Sequence, residues 1–84
     1  PSMEVYPNPT EGNDFNIKLS NLTKGSYQII ITTASGQQVL NKTIEHPGGT
    51  KTQSIVFDND ISKGVYRVQV KGEGLSLLSS IIKN

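Results

Sequence analysis

Apolar and polar residues alternate along most of the chain. Phe15, Ile17 and Leu19 alternate with polar neighbours, and Val68 and Val70 do so later in the sequence. A period of two points one face of a strand to a core and the other to water. No segment of helical length carries apolar residues at spacings of three and four. The pattern therefore predicts an all-β protein.

Glycines and prolines divide this pattern into short strands. Gly36 fits a hairpin turn because it adopts a positive φ at no steric cost. The return strand is expected over Gln38–Ile44. The stretch EHPGGTKT, residues 45–52, contains Pro47 and two glycines and is predicted to be a loop. A short strand is expected around Ile55 and Phe57.

The second half of the chain shows the same arrangement. Gly72-Glu73-Gly74 predicts a tight turn into a last strand over Leu75–Lys83. Short strands at this spacing are typical of sandwiches. We therefore expect an antiparallel β-sandwich of six to seven short strands. The predicted core is Val5, Phe15, Ile17, Leu19, Tyr27, Ile29, Ile31, Leu40, Ile55, Phe57, Tyr66, Val68 and Val70.

The stretch VYPNPTEG, residues 5–12, interrupts the pattern early. Pro7 has no N–H to donate, so the first strand should end there. Pro7 and Pro9 favour extended backbone at Tyr6 and Asn8. The Asn8 side chain can bond nearby backbone, and Gly12 allows a further turn. The stretch is predicted to be a stiff corner between the first two strands.

Size and charge narrow the range of partners. The 84 residues make one domain, and basic and acidic residues nearly cancel to a net charge of +1. No basic run is present, so nucleic acid and anionic membrane are disfavoured as partners. There is no cysteine and no apolar run of the ~20 residues that span a bilayer. The start PSMEVYP has no signal-peptide features, so we expect either a cytoplasmic domain or a piece of a longer chain. A start at Pro1 without Met favours the second alternative.

Catalytic chemistry has little support in the sequence. His46 is the single histidine and is predicted to lie on an exposed loop. A general base needs a nucleophile and an orienting partner beside it. We expect no enzyme, no cofactor and no small-molecule substrate.

Two binding alternatives stay open. Asp58 and Asp60 could offer oxygens to calcium, but Lys63 and Gln69 stand where an EF-hand loop needs glycine and glutamate. A polar turn is the simpler interpretation. A carbohydrate-binding module would offer exposed aromatic rings, whereas here only Tyr6 is not assigned to an inward position.

The last strand departs from a one-sided pattern. Leu77 and Ile81 fall on one face, and Leu78 and Ile82 fall on the other. One explanation is a central strand buried on both sides, or irregular pairing. The other is an edge strand that another protein covers by strand addition. Such an edge would also allow a weak homodimer.

Several short motifs occur in a fixed order along the chain: Val5-Tyr6-Pro7-Asn8-Pro9-Thr10 with Gly12, Gly25-x-Tyr27 with Ile29 and Ile31, Gly36-Gln37-Gln38-Val39, Gly64-Val65-Tyr66 with Val68 and Val70, and a terminal Ile81-Ile82-Lys83. In this order and spacing the chain resembles the C-terminal sorting domain of the type IX secretion system. The resemblance extends over nearly the whole sequence.

The resemblance implies an immunoglobulin-like antiparallel β-sandwich of about seven short strands, which agrees with the fold expected from the alternation. It also implies a sorting signal at the end of a secreted protein. Its partners would be an outer-membrane shuttle protein, a translocon, a surface sortase and the upstream cargo domain of the same chain. The cargo would pass through the periplasm and reach the cell surface or the medium. Residues 1–4 would be the residual linker from the cargo, and residues 5–84 the sorting domain. The alternative is a spacer or an adhesive or carbohydrate-binding module of a surface protein.

The resemblance also implies the residues that the machinery recognises. These are Tyr6, Pro7, Asn8, Pro9, Gly64, Val65, Tyr66, Leu78, Ile81, Ile82 and Lys83. Family tails often carry a basic residue before the final hydrophobic strand. Leu77-Leu78-Ser79-Ser80 is uncharged, which argues against a charge-dependent contact there.

Overall fold

Seven antiparallel strands form the protein in a computed structural model that describes residues 1–57 and 61–84. The strands are β1 (Ser2–Tyr6), β2 (Asp14–Leu22), β3 (Gly25–Thr33), β4 (Gln38–His46), β5 (Gly49–Val56), β6 (Gly64–Gly72) and β7 (Leu75–Lys83). The described residues contain no helix, which confirms the all-β prediction.

The strands form two sheets that pack as a sandwich. One sheet has the order β1-β2-β5 and the other β4-β3-β6-β7. The first, second and fifth strands share one sheet and the third, sixth and seventh share the other, as in immunoglobulin-like sandwiches, and here the fourth strand joins the second of these sheets. Neighbouring strands are antiparallel throughout both sheets. The predicted sandwich is confirmed.

The turns follow the glycine signals closely. Gly36 has a φ of 96° in the β3–β4 turn. The β6–β7 hairpin closes through Glu73 and Gly74, and β7 has the predicted bounds. The loop predicted over residues 45–52 is wrong in its extent, because β4 continues to His46 and β5 already begins at Gly49, which leaves only Pro47 and Gly48 between the strands.

The core lies between the two sheets and is built from the alternating positions. The predicted core residues are buried, except Leu40 of β4, which is only partly buried. Leu22, Ile44 and Ile81 are buried as well and were missed by the prediction. Thr10 is a polar addition to this set.

The first residues already belong to the sheet. Ser2 pairs with Ser20 and Glu4 with Lys18, so strand pairing begins before Val5. The division of the chain into a linker over 1–4 and a domain over 5–84 stays a prediction.

Candidate functional site

The last strand, β7, forms an edge of the four-stranded sheet. It pairs with β6 on one side, which excludes the central-strand interpretation. Its side chains alternate between partly buried and exposed along the strand. Leu78 and Ile82 point outward and are 71% and 42% exposed. The two-faced apolar pattern therefore leaves apolar side chains in water.

Residues 7–10 lie along the outer edge of β7, and we call them the corner segment. The Thr10 N–H donates to the Ile82 carbonyl at 2.8 Å, and the Asn84 N–H donates to the Thr10 carbonyl at 2.9 Å. Thr10 thus forms a parallel bridge with Lys83. The peptide bonds before Pro7 and Pro9 are both cis. The corner segment joins the two ends of the chain.

The Asn8 side chain makes the second attachment of the corner segment. Its Oδ1 accepts the Ile82 N–H at 3.0 Å, and its Nδ2 donates to the Ser80 carbonyl at 3.1 Å. The prediction that Asn8 bonds nearby backbone is wrong, because both partners lie on the last strand. The amide suits this position because it offers a donor and an acceptor together.

Thr10 completes the attachment and was not singled out from the sequence. Its side chain is 3% exposed, and its Oγ1 donates to the Asp14 carbonyl at 2.9 Å. The sequence shows only a threonine directly after Pro9, and its burial follows from the fold. Lys83 adds one contact from the other chain end, since its Nζ donates to the Glu11 carbonyl at 3.1 Å.

Tyr66 has a structural role at the start of β6. Its ring is buried, and its hydroxyl donates to the Ser62 carbonyl at 2.5 Å. Tyr27 repeats this arrangement at the start of β3, donating to the Thr23 carbonyl at 2.6 Å. A tyrosine at the start of the sixth strand that bonds backbone just upstream is the tyrosine corner of immunoglobulin-like sandwiches. Both Gly-x-Tyr motifs therefore fix strand entries.

The structure brings most of the predicted recognition residues to one end of β7. Val65 pairs with Ile82 and Gly64 with Lys83, beside the corner segment. Ile81 is buried, whereas Val65 is 50% exposed on the same outer face as Ile82. The corner segment, the start of β6 and the end of β7 thus form one continuous surface.

Two predicted recognition residues lie apart from this cluster. Leu78 is further along β7, where it pairs with Gln69. Tyr6 pairs with Asn16 in the other sheet and is 38% exposed. The remaining aromatic rings are buried, as the sequence predicted.

His46 is not on an exposed loop, so that prediction is wrong. It is 2% exposed at the end of β4, with its ring edge-on to Tyr27. Its Nδ1 accepts the Gly48 N–H at 3.0 Å, and its Nε2 lies 3.3 Å from the Leu19 carbonyl. This geometry fits a neutral ring with the proton on Nε2. The buried His46 side chain therefore links β4 of one sheet to Leu19 of β2 in the other.

The calcium hypothesis for Asp58 and Asp60 lies outside the described residues. Within 1–57 and 61–84, no group of three or more His, Cys, Asp or Glu side chains is arranged to hold a metal ion. The same residues include no helix with the length and apolarity of a membrane span.

Comparison with known families adds one match. The model of the family described as "Secretion system C-terminal sorting domain" matches residues 4–84, a range that includes part of β1 and all of the six other strands. No curated protein matches the chain in sequence.

Proposed function

The chain belongs to the family of secretion system C-terminal sorting domains, and on that premise we propose that it directs a periplasmic cargo to the type IX translocon. The cargo then crosses the outer membrane and is attached to the cell surface or released. The family match over residues 4–84 is the observation that carries this proposal.

The arrangement of β7 supports a signal that is read on this strand. A terminal strand at a sheet edge presents its backbone and one row of side chains to a partner. Here that row includes exposed Leu78 and Ile82, and Val65 lies beside Ile82. Apolar side chains without an intramolecular partner are typical of interaction surfaces.

Burial divides the proposed recognition residues into two groups. Tyr66 and Ile81 act by holding β6 and β7 in place, because neither is accessible in the folded domain. The exposed residues make the direct contacts with the shuttle protein, the translocon or the sortase. These are Tyr6, Pro7, Asn8, Pro9, Gly64, Val65, Leu78 and Ile82, with Lys83 partly exposed.

A reporter fusion tests the function. A periplasm-targeted fluorescent protein carries residues 1–84 at its C-terminus in a bacterium with a working type IX system and in a translocon mutant of the same strain. We expect the reporter at the cell surface or in the medium of the working strain alone. Folded reporter retained in the periplasm of both strains would contradict the proposal and favour a spacer module.

A further inference from the structure

Three of the four edge strands carry features that oppose pairing with another chain. β1 has five residues and is followed by Pro7. β4 carries Lys42 on the core-facing side of its sheet, opposite Ile29, although the residue is exposed at this edge. β5 carries the partly buried Lys51 on the core-facing side of the other sheet, opposite Leu19. Short strands, prolines and inward-pointing charges all oppose edge-to-edge pairing. β7 carries none of these features between Leu75 and Ile82.

The register of the β6–β7 hairpin shows which backbone groups of β7 face outward. The two-residue turn is closed by the Gly72–Leu75 pair, so odd-numbered residues of β7 bond to β6. Even-numbered residues direct their N–H and C=O groups to the outside. The bonds from the corner segment to Ser80, Ile82 and Asn84 agree with this assignment.

The corner segment leaves part of this edge uncovered. No bond within the described part of the chain reaches the outward N–H and C=O groups of Ser76 and Leu78, or the N–H of Ser80. We call Ser76–Ser80 the open edge. Unpaired groups of this kind are the template for an added strand. Thr10 already pairs with the outer edge of β7 in this way, since it bonds to the backbone of Ile82, two residues beyond Ser80.

A second copy of the chain fits this edge poorly. Antiparallel self-pairing centred on Leu78 would place Gly74 of the second copy opposite Ile82. The Ile82 backbone is already bonded to Asn8 and Thr10, so the corner segment occupies that space. The open edge alone is also too short for a stable dimer, which needs roughly 1,200 Å² or more of buried surface.

The side chains around the open edge define the chemistry of an incoming strand. Leu78, 71% exposed, would lie directly beside the central residue of that strand. Arg67 and Lys71 on β6 lie opposite Ser80 and Ser76, and both are exposed. Because the serines are small, the two long basic side chains can extend across them. This surface fits an apolar residue flanked by acidic ones.

We propose that the open edge, Ser76–Ser80, receives an extended strand of the export machinery that carries an apolar side chain beside Leu78 and acidic side chains toward Arg67 and Lys71. Pairing between the incoming strand and β7 stops at Ser80, because the corner segment occupies the edge beyond this residue. This inference rests on the proposed function, since it names how the sorting domain is bound.

The test uses the reporter fusion with paired variants. Leu78→Lys places a charge on the open edge. Ser76→Pro removes an outward N–H without removing a backbone bond to β6, and the one bond to β6 that it removes is the exposed side-chain bond from Gln69 Nε2 to Ser76 Oγ. Val56→Lys is the matched control, because Val56 is 65% exposed on the edge strand β5. Arg67→Glu with Lys71→Glu tests the acidic flank, and Lys18→Glu with Lys24→Glu makes the same charge change elsewhere.

We expect Leu78→Lys, Ser76→Pro and the Arg67/Lys71 variant to lower export about tenfold, while both controls stay near the unsubstituted level. Thermal unfolding of each purified fusion verifies that the domain is folded.

Export of the unsubstituted fusion with no selective loss in the open-edge variants would overturn the inference and leave the proposed function standing. A dimer of the purified fusion that Leu78→Lys abolishes in sedimentation would overturn the choice of partner. No export of the unsubstituted fusion would overturn both proposals.

Discussion

At the scale of single residues, hydrogen bonds from buried side chains fix places where the chain enters or leaves a strand. Tyr27 and Tyr66 both donate to a carbonyl four residues upstream. The sequence shows the two Gly-x-Tyr motifs and predicts the rings to be inward-facing. It does not show where the hydroxyl goes, because the acceptor is a backbone atom without a side-chain signature.

The Tyr66 hydroxyl is expected to stabilise the fold. Tyr66→Phe removes the bond to the Ser62 carbonyl and should lower the free energy of unfolding by about 1–2 kcal/mol. Urea denaturation measures this change. Tyr6→Phe is the control, since the Tyr6 ring is exposed, and it should change stability by less than about 0.5 kcal/mol. Equal effects of the two substitutions would argue against a tyrosine corner.

His46 shows a limit of composition-based prediction. A histidine next to Pro47 and two glycines has the local features of an exposed loop. The ring is buried because β4 extends to this residue and places the ring next to the Leu19 carbonyl of the other sheet. That contact depends on how the sheets are stacked, which the local pattern does not contain.

Both ring nitrogens of His46 contribute to stability. His46→Leu leaves the Gly48 N–H and the Leu19 carbonyl without the ring and should cost about 2–4 kcal/mol. His46→Gln offers an amide donor and acceptor in place of the ring and should recover part of the loss. Chemical denaturation of the two variants compares them. A leucine variant as stable as the unsubstituted protein would show that the two bonds contribute nothing.

At the scale of elements, the terminal strand and the corner segment form one unit. The alternation in the sequence predicts β7 with its correct bounds, and Pro7 correctly predicts the end of β1. The attachment of Asn8 to β7 could not be predicted, because the partners are separated by more than seventy residues. Contacts at such separation follow from the sheet order.

Removing the Asn8 amide should loosen the end of β7 selectively. Asn8→Ala removes the acceptor of the Ile82 N–H and the donor to the Ser80 carbonyl. Because the site is exposed, we expect a cost of about 1 kcal/mol and faster hydrogen exchange at the Ile82 amide. The amide of Val68, in the interior of the sheet, is the internal reference. Unchanged exchange at Ile82 would contradict this role of Asn8.

At the scale of the whole molecule, the two sides of the sandwich differ. On one side, Lys42 of β4 and Lys51 of β5 point inward, and the Lys51 Nζ donates to the Glu45 carbonyl of β4 at 3.2 Å. On the other side, β1 contacts β7, and Val5 of β1 and Ile81 of β7 both belong to the buried apolar core. Alternation predicts which residues face the core, but it does not distinguish the two sides, because pairing decides which strands are edges.

From this difference we predict that Lys42 prevents another chain from pairing with the edge of β4. Lys42→Val should pack against Ile29 and leave stability unchanged or higher, while removing the inward charge that opposes strand addition. We expect concentration-dependent association in light scattering that the unsubstituted domain does not show.

Lys18→Val makes the same change in net charge on the outward face of the central strand β2, where both edges are already paired. Lys18→Val should therefore remain monomeric. Equal association of the two variants would show that net charge, rather than the position of Lys42 on an edge, keeps the domain apart.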